Sequence, residues 1–247
     1  MTSVATRIAG VAAMGLAVVC GLGSLLLLGF APHGVLPVAR LPGAGPWPLV
    51  WDAVLSLLFF VQHSGMNRRA LRFRLARLIP APYHGAIYSI ASGATLAMVV
   101  LLWQATGGTV YSLQGAARLP MYMLCALGVG GFVWGGVSLM AFDPLGLRPL
   151  RAHLLGQPAP PLRLVVRGPY RWVRHPLYSC AILIIWGAPE LSPDRLLFNL
   201  LWTAWIWVGA LLEERDLVND FGAVYQEYRQ RVPMLVPWRR PVSPLVQ

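Results

Sequence analysis

The residues best suited to chemistry in this sequence fall in two short segments. One is Arg167-Gly168-Pro169-Tyr170-Arg171-Trp172-Val173-Arg174-His175-Pro176-Leu177-Tyr178, and the other is Glu213-Glu214-Arg215-Asp216. Arginine, histidine and tyrosine offer hydrogen-bond donors, and the paired glutamates offer charged acceptors. A purely structural alternative makes them topology arginines with Glu213 and Glu214 as ion-pair partners. That alternative does not call for Pro-Tyr, His-Pro and a second tyrosine packed into twelve residues. Both segments border apolar runs, and ionisable groups at the edge of hydrocarbon are costly unless paired or solvated, which makes them functional candidates by default.

The elements that must position these residues follow from composition. Of 247 residues, 57% are hydrophobic and only 12% charged, with a mean hydropathy of +0.60. A soluble domain carries about 25% charged residues, so this chain has too little charge to cover a water-facing surface. Several apolar runs reach the roughly 20 residues a bilayer-crossing helix needs. Hydropathy predicts six spans near 8–30, 47–63, 84–104, 119–142, 176–189 and 194–212. The first is too long for the apolar core of a cleaved signal, about 7–15 residues, and reads as a membrane helix. The fifth is short. Ser192-Pro193-Asp194 opens the sixth with ordinary helix-start chemistry. The last two spans therefore form a hairpin that brings both polar segments to one membrane face. The fold class expected is an all-α polytopic membrane bundle of about six transmembrane helices.

All 20 basic residues are arginine, and the net charge is +11. Assigned to alternating loops, 17 arginines fall on one side and three, Arg40, Arg118 and Arg195, on the other. The positive-inside rule makes the rich side cytoplasmic, with both termini there and a bacterial inner membrane as the expected location. Arginines dispersed over membrane-flanking loops match anionic lipid rather than nucleic acid. Residues 67–80, where arginine alternates with apolar residues, suit either an interfacial helix or a plain basic loop. Cys20, Cys125 and Cys180 lie in apolar stretches without metal-type spacing and read as small packing residues. Asp52 reads as a solvated interfacial residue, and His33, His84 and His153 receive no role. The proline-rich stretch 143–168 divides an N-terminal four-helix region, 1–142, from a C-terminal region, 143–247, that carries both polar segments. After Glu214, Leu217, Val218, Phe221, Tyr225, Tyr228 and Val232 keep helical spacing, which predicts a cytoplasmic amphipathic helix ending at Pro233 and roofing the site.

These motifs carry a resemblance. Arg167 to Tyr178, then Glu213-Glu214-Arg215-Asp216-Leu217-Val218, then Phe221 to Pro237 resembles the isoprenylcysteine carboxyl methyltransferase superfamily, which includes phospholipid methyltransferases. The composite pattern covers residues 167–237 in order. Gln62-His63-Ser64-Gly65-Met66-Asn67-Arg68 resembles a signature of NnrU-type and methanethiol S-methyltransferase proteins. Asp143-Pro144-Leu145-Gly146-Leu147-Arg148 is similar to a Phe-Gly-Leu-Arg stretch of the methanethiol enzymes, with Pro144-Leu145 departing from the usual Leu-Phe. The Glu-Glu-Arg-Asp and Val-Pro-Met-Leu elements are also closer to the methanethiol enzymes.

The resemblance implies an S-adenosylmethionine-dependent methyltransferase. It places the cofactor on Tyr170, Arg174, His175, Pro176, Tyr178, Glu213 and Glu214. The donor chemistry is compatible, since the cofactor's carboxylate wants Arg, His or a phenol and its amino and ribose groups want a carboxylate. Methyl transfer to a thiol further implies a field that favours the thiolate, for which Arg174, His175 and Arg229, with Glu214, are the expected catalytic set. Gln62, His63, Ser64, Tyr225 and Tyr228 are expected to contact a small or lipid-like methyl acceptor, although Gln62-His63-Ser64 equally suits a hydrogen-bonded helix end. One His with Ser and Gln is a poor metal set, so no metal is expected. Two alternatives stay open: an isoprenylcysteine or phospholipid acceptor, and a non-catalytic NnrU-like transport or accessory protein.

Overall fold

A computed structural model describes residues 4–30, 45–68, 71, 74–139, 143, 145–158 and 163–246. His33, Arg40, Arg69, Arg72 and the last residues of the fourth predicted span lie outside the described residues. The α-helices among the described residues are α1 (Val4–Phe30), α2 (Trp47–Asn67), α3 (His84–Leu102), α4 (Leu119–Leu139), α5 (Arg148–Leu154), α6 (Pro176–Trp186), α7 (Pro193–Phe221) and α8 (Ala223–Arg231). Two-residue strands form two small antiparallel ladders: β1 (Tyr111–Ser112) with β3 (Glu190–Leu191), and β2 (Val165–Val166) with β4 (Leu245–Val246).

The protein is a polytopic helical membrane bundle. Among the described residues, five helical segments are long and apolar enough to cross a bilayer: Val4–Leu28, Trp47–Asn67, Ala81–Leu102, Gly115–Ser138 and Pro193–Phe221. Their exposed surfaces are apolar, as at Ile8, Val61 and Val133, each more than half exposed. Such surface is stable only against hydrocarbon. The predicted fifth span, α6, has 11 residues. At 1.5 Å per residue it reaches about 17 Å, short of the roughly 30 Å hydrocarbon core.

Contacts group the chain into two compact units, Met1–Thr106 with Asp143–Pro161, and Gly107–Phe142 with Leu162–Gln247. In the first, α1 crosses α3 closely, because Gly93 leaves room for the Cys20 backbone. α5 packs Leu150 with Ala17 and Ala86. Asp52 is not the solvated residue expected from sequence. It is fully buried, and its Oδ1 accepts the Gln104 backbone N–H at 2.8 Å. A backbone donor just past the end of α3 offsets the cost of burying it.

In the second unit α4 packs on α6 through glycines, so the fourth helix groups with the hairpin rather than with the first three. A Cβ at Gly128 would stand 2.8 Å from Ile184 Cγ1, one at Gly131 2.6 Å from Cys180 Sγ, and one at Gly135 2.8 Å from Leu177 Cδ2. This spacing of three and four puts all three glycines on one helix face, where small residues let membrane helices approach. Gly128→Leu should therefore lower stability by about 1–3 kcal/mol through overpacking. Gly130→Leu, which meets nothing within 4 Å, should be neutral. Thermal unfolding in detergent compares them.

The far end of this unit is tied by the β1–β3 ladder and the Arg118–Glu190 ion pair at 2.9 Å. Arg195 reaches the Glu190 carbonyl, so Arg118 and Arg195 share one end, as the loop assignment predicts. Ser192 occupies the N-cap of α7 but makes no side-chain cap bond there, contrary to the capping expectation. Pro193 at N1 and the buried Asp194 in the first turn mark the start instead.

The predicted tail helix is also revised. α7 does not stop near 212 but continues to Phe221, and Gly222, at φ +58°, breaks the chain before α8. Hydropathy marks where hydrocarbon ends, whereas residues 213–221 hold no proline or glycine to end a helix. The predicted apolar stripe is intact across the break. Tyr225, Tyr228 and Val232 form a core with Leu164 and Val166, flanked by Leu217, Val218 and Phe221.

Candidate active site

The second unit assembles the two polar segments at one end. Gly168 opens a 3₁₀ turn, Gly168–Arg171, at φ +55°, where a Cβ would collide with Ser138. Arg167 Nε donates to the Ser138 carbonyl at 2.9 Å and fixes this turn to the end of α4. Pro176 then starts α6 at its N1 position, where a missing N–H costs nothing. Opposite it, α7 carries Glu213 and Glu214 directly after its uncharged stretch, 196–212.

Glu214 is 3% exposed and meets two guanidinium groups and an imidazole. Arg174 Nε lies 2.5 Å from its Oε1, Arg229 Nε 3.1 Å from its Oε2, and His175 Nε2 3.3 Å from its Oε1. Arg174 also donates from Nη1 to the carbonyls of Arg229 and Val232. Its side chain is nearly closed off, whereas that of Arg229 is 45% exposed. Glu213 is the open carboxylate, with its side chain 40% exposed. Tyr178 donates its hydroxyl to Glu213 Oε2 at 2.8 Å, and His175 Nδ1 lies 3.8 Å from the same oxygen. The His175 and Tyr178 rings stack at 5.4 Å, 5° from parallel.

The tyrosines complete the floor. Tyr228 donates its hydroxyl to the Tyr170 carbonyl at 2.6 Å, and Tyr225 packs edge-on against Tyr228. Burial pushes all three phenols upward, with the charge of Glu213 adding to the rise at Tyr170. They remain neutral, and therefore donors, throughout the physiological range. Tyr225 and Tyr228 are also the residues expected to contact the methyl acceptor. The structure buries both in the core of this unit, where they support the Tyr170 turn from beneath.

Gln62, His63 and Ser64 lie in the first unit, where the structure shows the hydrogen-bonded helix-end arrangement. Gln62 Nε2 donates to Met66 Sδ and Ser92, and its Oε1 accepts from Thr95 at 2.7 Å. His63 stacks on Phe59 and lies 3.0 Å from the Tyr88 hydroxyl. The Ser64 carbonyl accepts from Arg68.

Sequence reasoning misses the segment that follows α8. Arg174 and His175 donate their backbone N–H groups to the Pro233 and Met234 carbonyls, at 2.9 and 3.1 Å. Ser179 Oγ donates to the Leu235 carbonyl at 2.6 Å. These bonds use main-chain atoms, which every sequence offers equally. The only signal is the Val232-Pro233-Met234-Leu235 run within the resemblance.

What the cluster can do follows from its open edges. Arg174, His175 and Glu214 are spent on one another, while Glu213 and Arg229 present opposite charges outward beside neutral phenols. That set suits a ligand with both a cationic and an anionic group.

The chain has relatives among known proteins over most of its length. The chain is 36% identical to the methanethiol S-methyltransferase of a Pseudomonas species over 226 residues, 87% of this chain and 85% of that protein. It is 32% identical to methanethiol S-methyltransferase 1 of Bradyrhizobium diazoefficiens over 195 residues, 78% of this chain and 68% of the other. It is 30% identical to Nurim of Rattus norvegicus over 181 residues, 68% of each. No family model matches the chain, and no solved structure does.

Proposed function

Because this chain belongs to the family of the methanethiol S-methyltransferases and is an integral membrane methyltransferase, we propose that it moves a methyl group from S-adenosylmethionine to a small thiol at the Glu213–Glu214 cluster. The observation that carries this reading is the union of Arg174, His175 and Tyr178 with a glutamate pair almost 40 residues away. The donor set fits the cofactor: Glu213 and Tyr178 suit its amino and ribose groups, and Arg229 and the Tyr170 phenol suit its carboxylate. When bound, the cofactor supplies an electrophilic methyl on a sulfonium. The remaining work belongs to this chain.

In this reading Arg174, His175 and Glu214 are positioning residues. Their mutual bonds hold α6 against α7, so that Glu213 and Tyr178 face the ligand without rearrangement. Alignment in a dry site is the main catalytic resource for such a displacement, with effective molarities that can reach about 10⁵ M. Arg229 supplies the positive field that favours a thiolate over a thiol. Pro176 sets the first turn of α6, which aims Tyr178. The 17-to-3 arginine split supports a cytoplasmic location for this end of the unit, where the cofactor is soluble. A volatile, apolar thiol would arrive from the bilayer side.

Purified protein in detergent, given methyl-labelled S-adenosylmethionine with methanethiol, larger thiols, prenylcysteine and phosphatidylethanolamine, tests the reading. Label should pass to methanethiol. Transfer only to prenylcysteine or only to phosphatidylethanolamine would move the acceptor to those classes. Absence of transfer to every acceptor, together with absence of cofactor binding by calorimetry, would remove the methyltransferase reading of the site.

A further inference from the structure

The segment after α8 is a strap fastened at both ends to the site-bearing turn. Its first part bonds to Arg174, His175 and Ser179. Its last part exchanges bonds between Val242 and Arg171, at 3.1 and 2.6 Å, and then adds β4 to β2. Between these fastenings, residues 236–240, Val-Pro-Trp-Arg-Arg, stand away from the core. Val236 is 62% exposed and Trp238 67%. Pro237, Arg239 and Arg240 are also exposed.

Position and charge identify the partner. The strap lies at the end of the unit where α6 begins and where α7 passes from its uncharged stretch, 196–212, to Glu213–Asp216. That is the boundary between hydrocarbon and water. Tryptophan concentrates at this boundary because its ring is apolar while its N–H seeks water. From Tyr228 to the end the chain has four arginines and no acidic residue. Arginines beside an anionic leaflet each gain binding free energy, together about 30-fold for a pair.

We infer that Val236–Arg240 is an interfacial latch that docks on anionic lipid headgroups and, through the strap's bonds to Arg174 and His175, holds the site-bearing turn in its binding-competent form. The docking stands by itself. Its effect on the site rests on the methyl-donor reading above.

The test uses the full chain in nanodiscs of phosphatidylcholine alone or in equal mixture with phosphatidylglycerol. Brominated acyl chains on the phosphatidylglycerol should quench a tryptophan signal that is absent from Trp238→Phe. Absence of that difference would overturn the docking, whatever the donor does. Phosphatidylglycerol should also tighten S-adenosylmethionine binding about three- to tenfold, less than the full arginine contribution because only part of it reaches the turn. Trp238→Ala with Arg240→Gln, which leaves only Arg239 of the pair, should cut that lipid dependence to about twofold or less and leave binding in phosphatidylcholine unchanged. This pair of substitutions spares the bond from Arg239 to the Gln230 carbonyl and every fastening of the strap. A double variant that keeps the wild-type lipid dependence, or quenching equal in brominated phosphatidylcholine alone, would overturn the anionic latch. If the cofactor binds in neither lipid while quenching persists, the docking stands and the donor reading fails.

Discussion

Glu214→Ala should abolish methyl-donor binding and destabilise the second unit together. Glu214 is the common acceptor of Arg174, His175 and Arg229. Its loss leaves the Arg174 guanidinium, 8% exposed, buried with two carbonyls and no anion. Removing one partner of a buried ion pair costs about 3–5 kcal/mol, mostly as the penalty of stranding the other charge. At 1.4 kcal/mol per tenfold, that corresponds to a loss of about 100-fold or more in any affinity that needs the cluster assembled. Glu214→Gln keeps the shape and two weaker hydrogen bonds, so it should fall between alanine and wild type in thermal unfolding. If Glu214→Ala unfolds at the wild-type temperature and binds the donor normally, the cluster is not the strut described here.

Glu213→Gln should behave in the opposite way. Its side chain is 40% exposed, and the amide oxygen of glutamine can still accept from Tyr178. Stability should stay within about 0.5 kcal/mol of wild type, as for most exposed substitutions. Donor affinity should fall about 10- to 100-fold, because a hydrogen bond to a charged group contributes about 1.5–3 kcal/mol. Calorimetric titration and thermal unfolding on the same preparations separate the two glutamates. Normal binding by Glu213→Gln beside failed binding by Glu214→Gln would reverse their roles, making the buried carboxylate the one that meets the ligand.

Much of this architecture is legible in the order of the residues. Composition requires a membrane bundle, since 12% charged residues cannot cover a soluble surface. The polar segments at 167–178 and 213–216 are visible as ionisable groups at the ends of apolar runs, and the short connection at Gly187–Ser192 forces them to one face. The apolar stripe from Leu217 to Val232 is legible because helical periodicity is a local property. Where periodicity and hydropathy mislead, the cause is also local: no residue between 213 and 221 stops a helix, so the end of hydrocarbon is not the end of α7.

The sequence by itself thus determined which segments are apolar, which residues are charged where those segments end, and which way the hairpin returns. Only the tertiary structure decided that Glu214 is closed off by Arg174, His175 and Arg229 while its neighbour Glu213 stays open. Only the packed chain buries Asp52, places Tyr225 and Tyr228 in the core, and lays a strap of main-chain carbonyls against Arg174 and His175. The physical reason is that hydropathy and periodicity sum over neighbours along the chain. The environment of a single carboxylate depends instead on which distant donors reach it, and adjacent glutamates on a helix point about 100° apart.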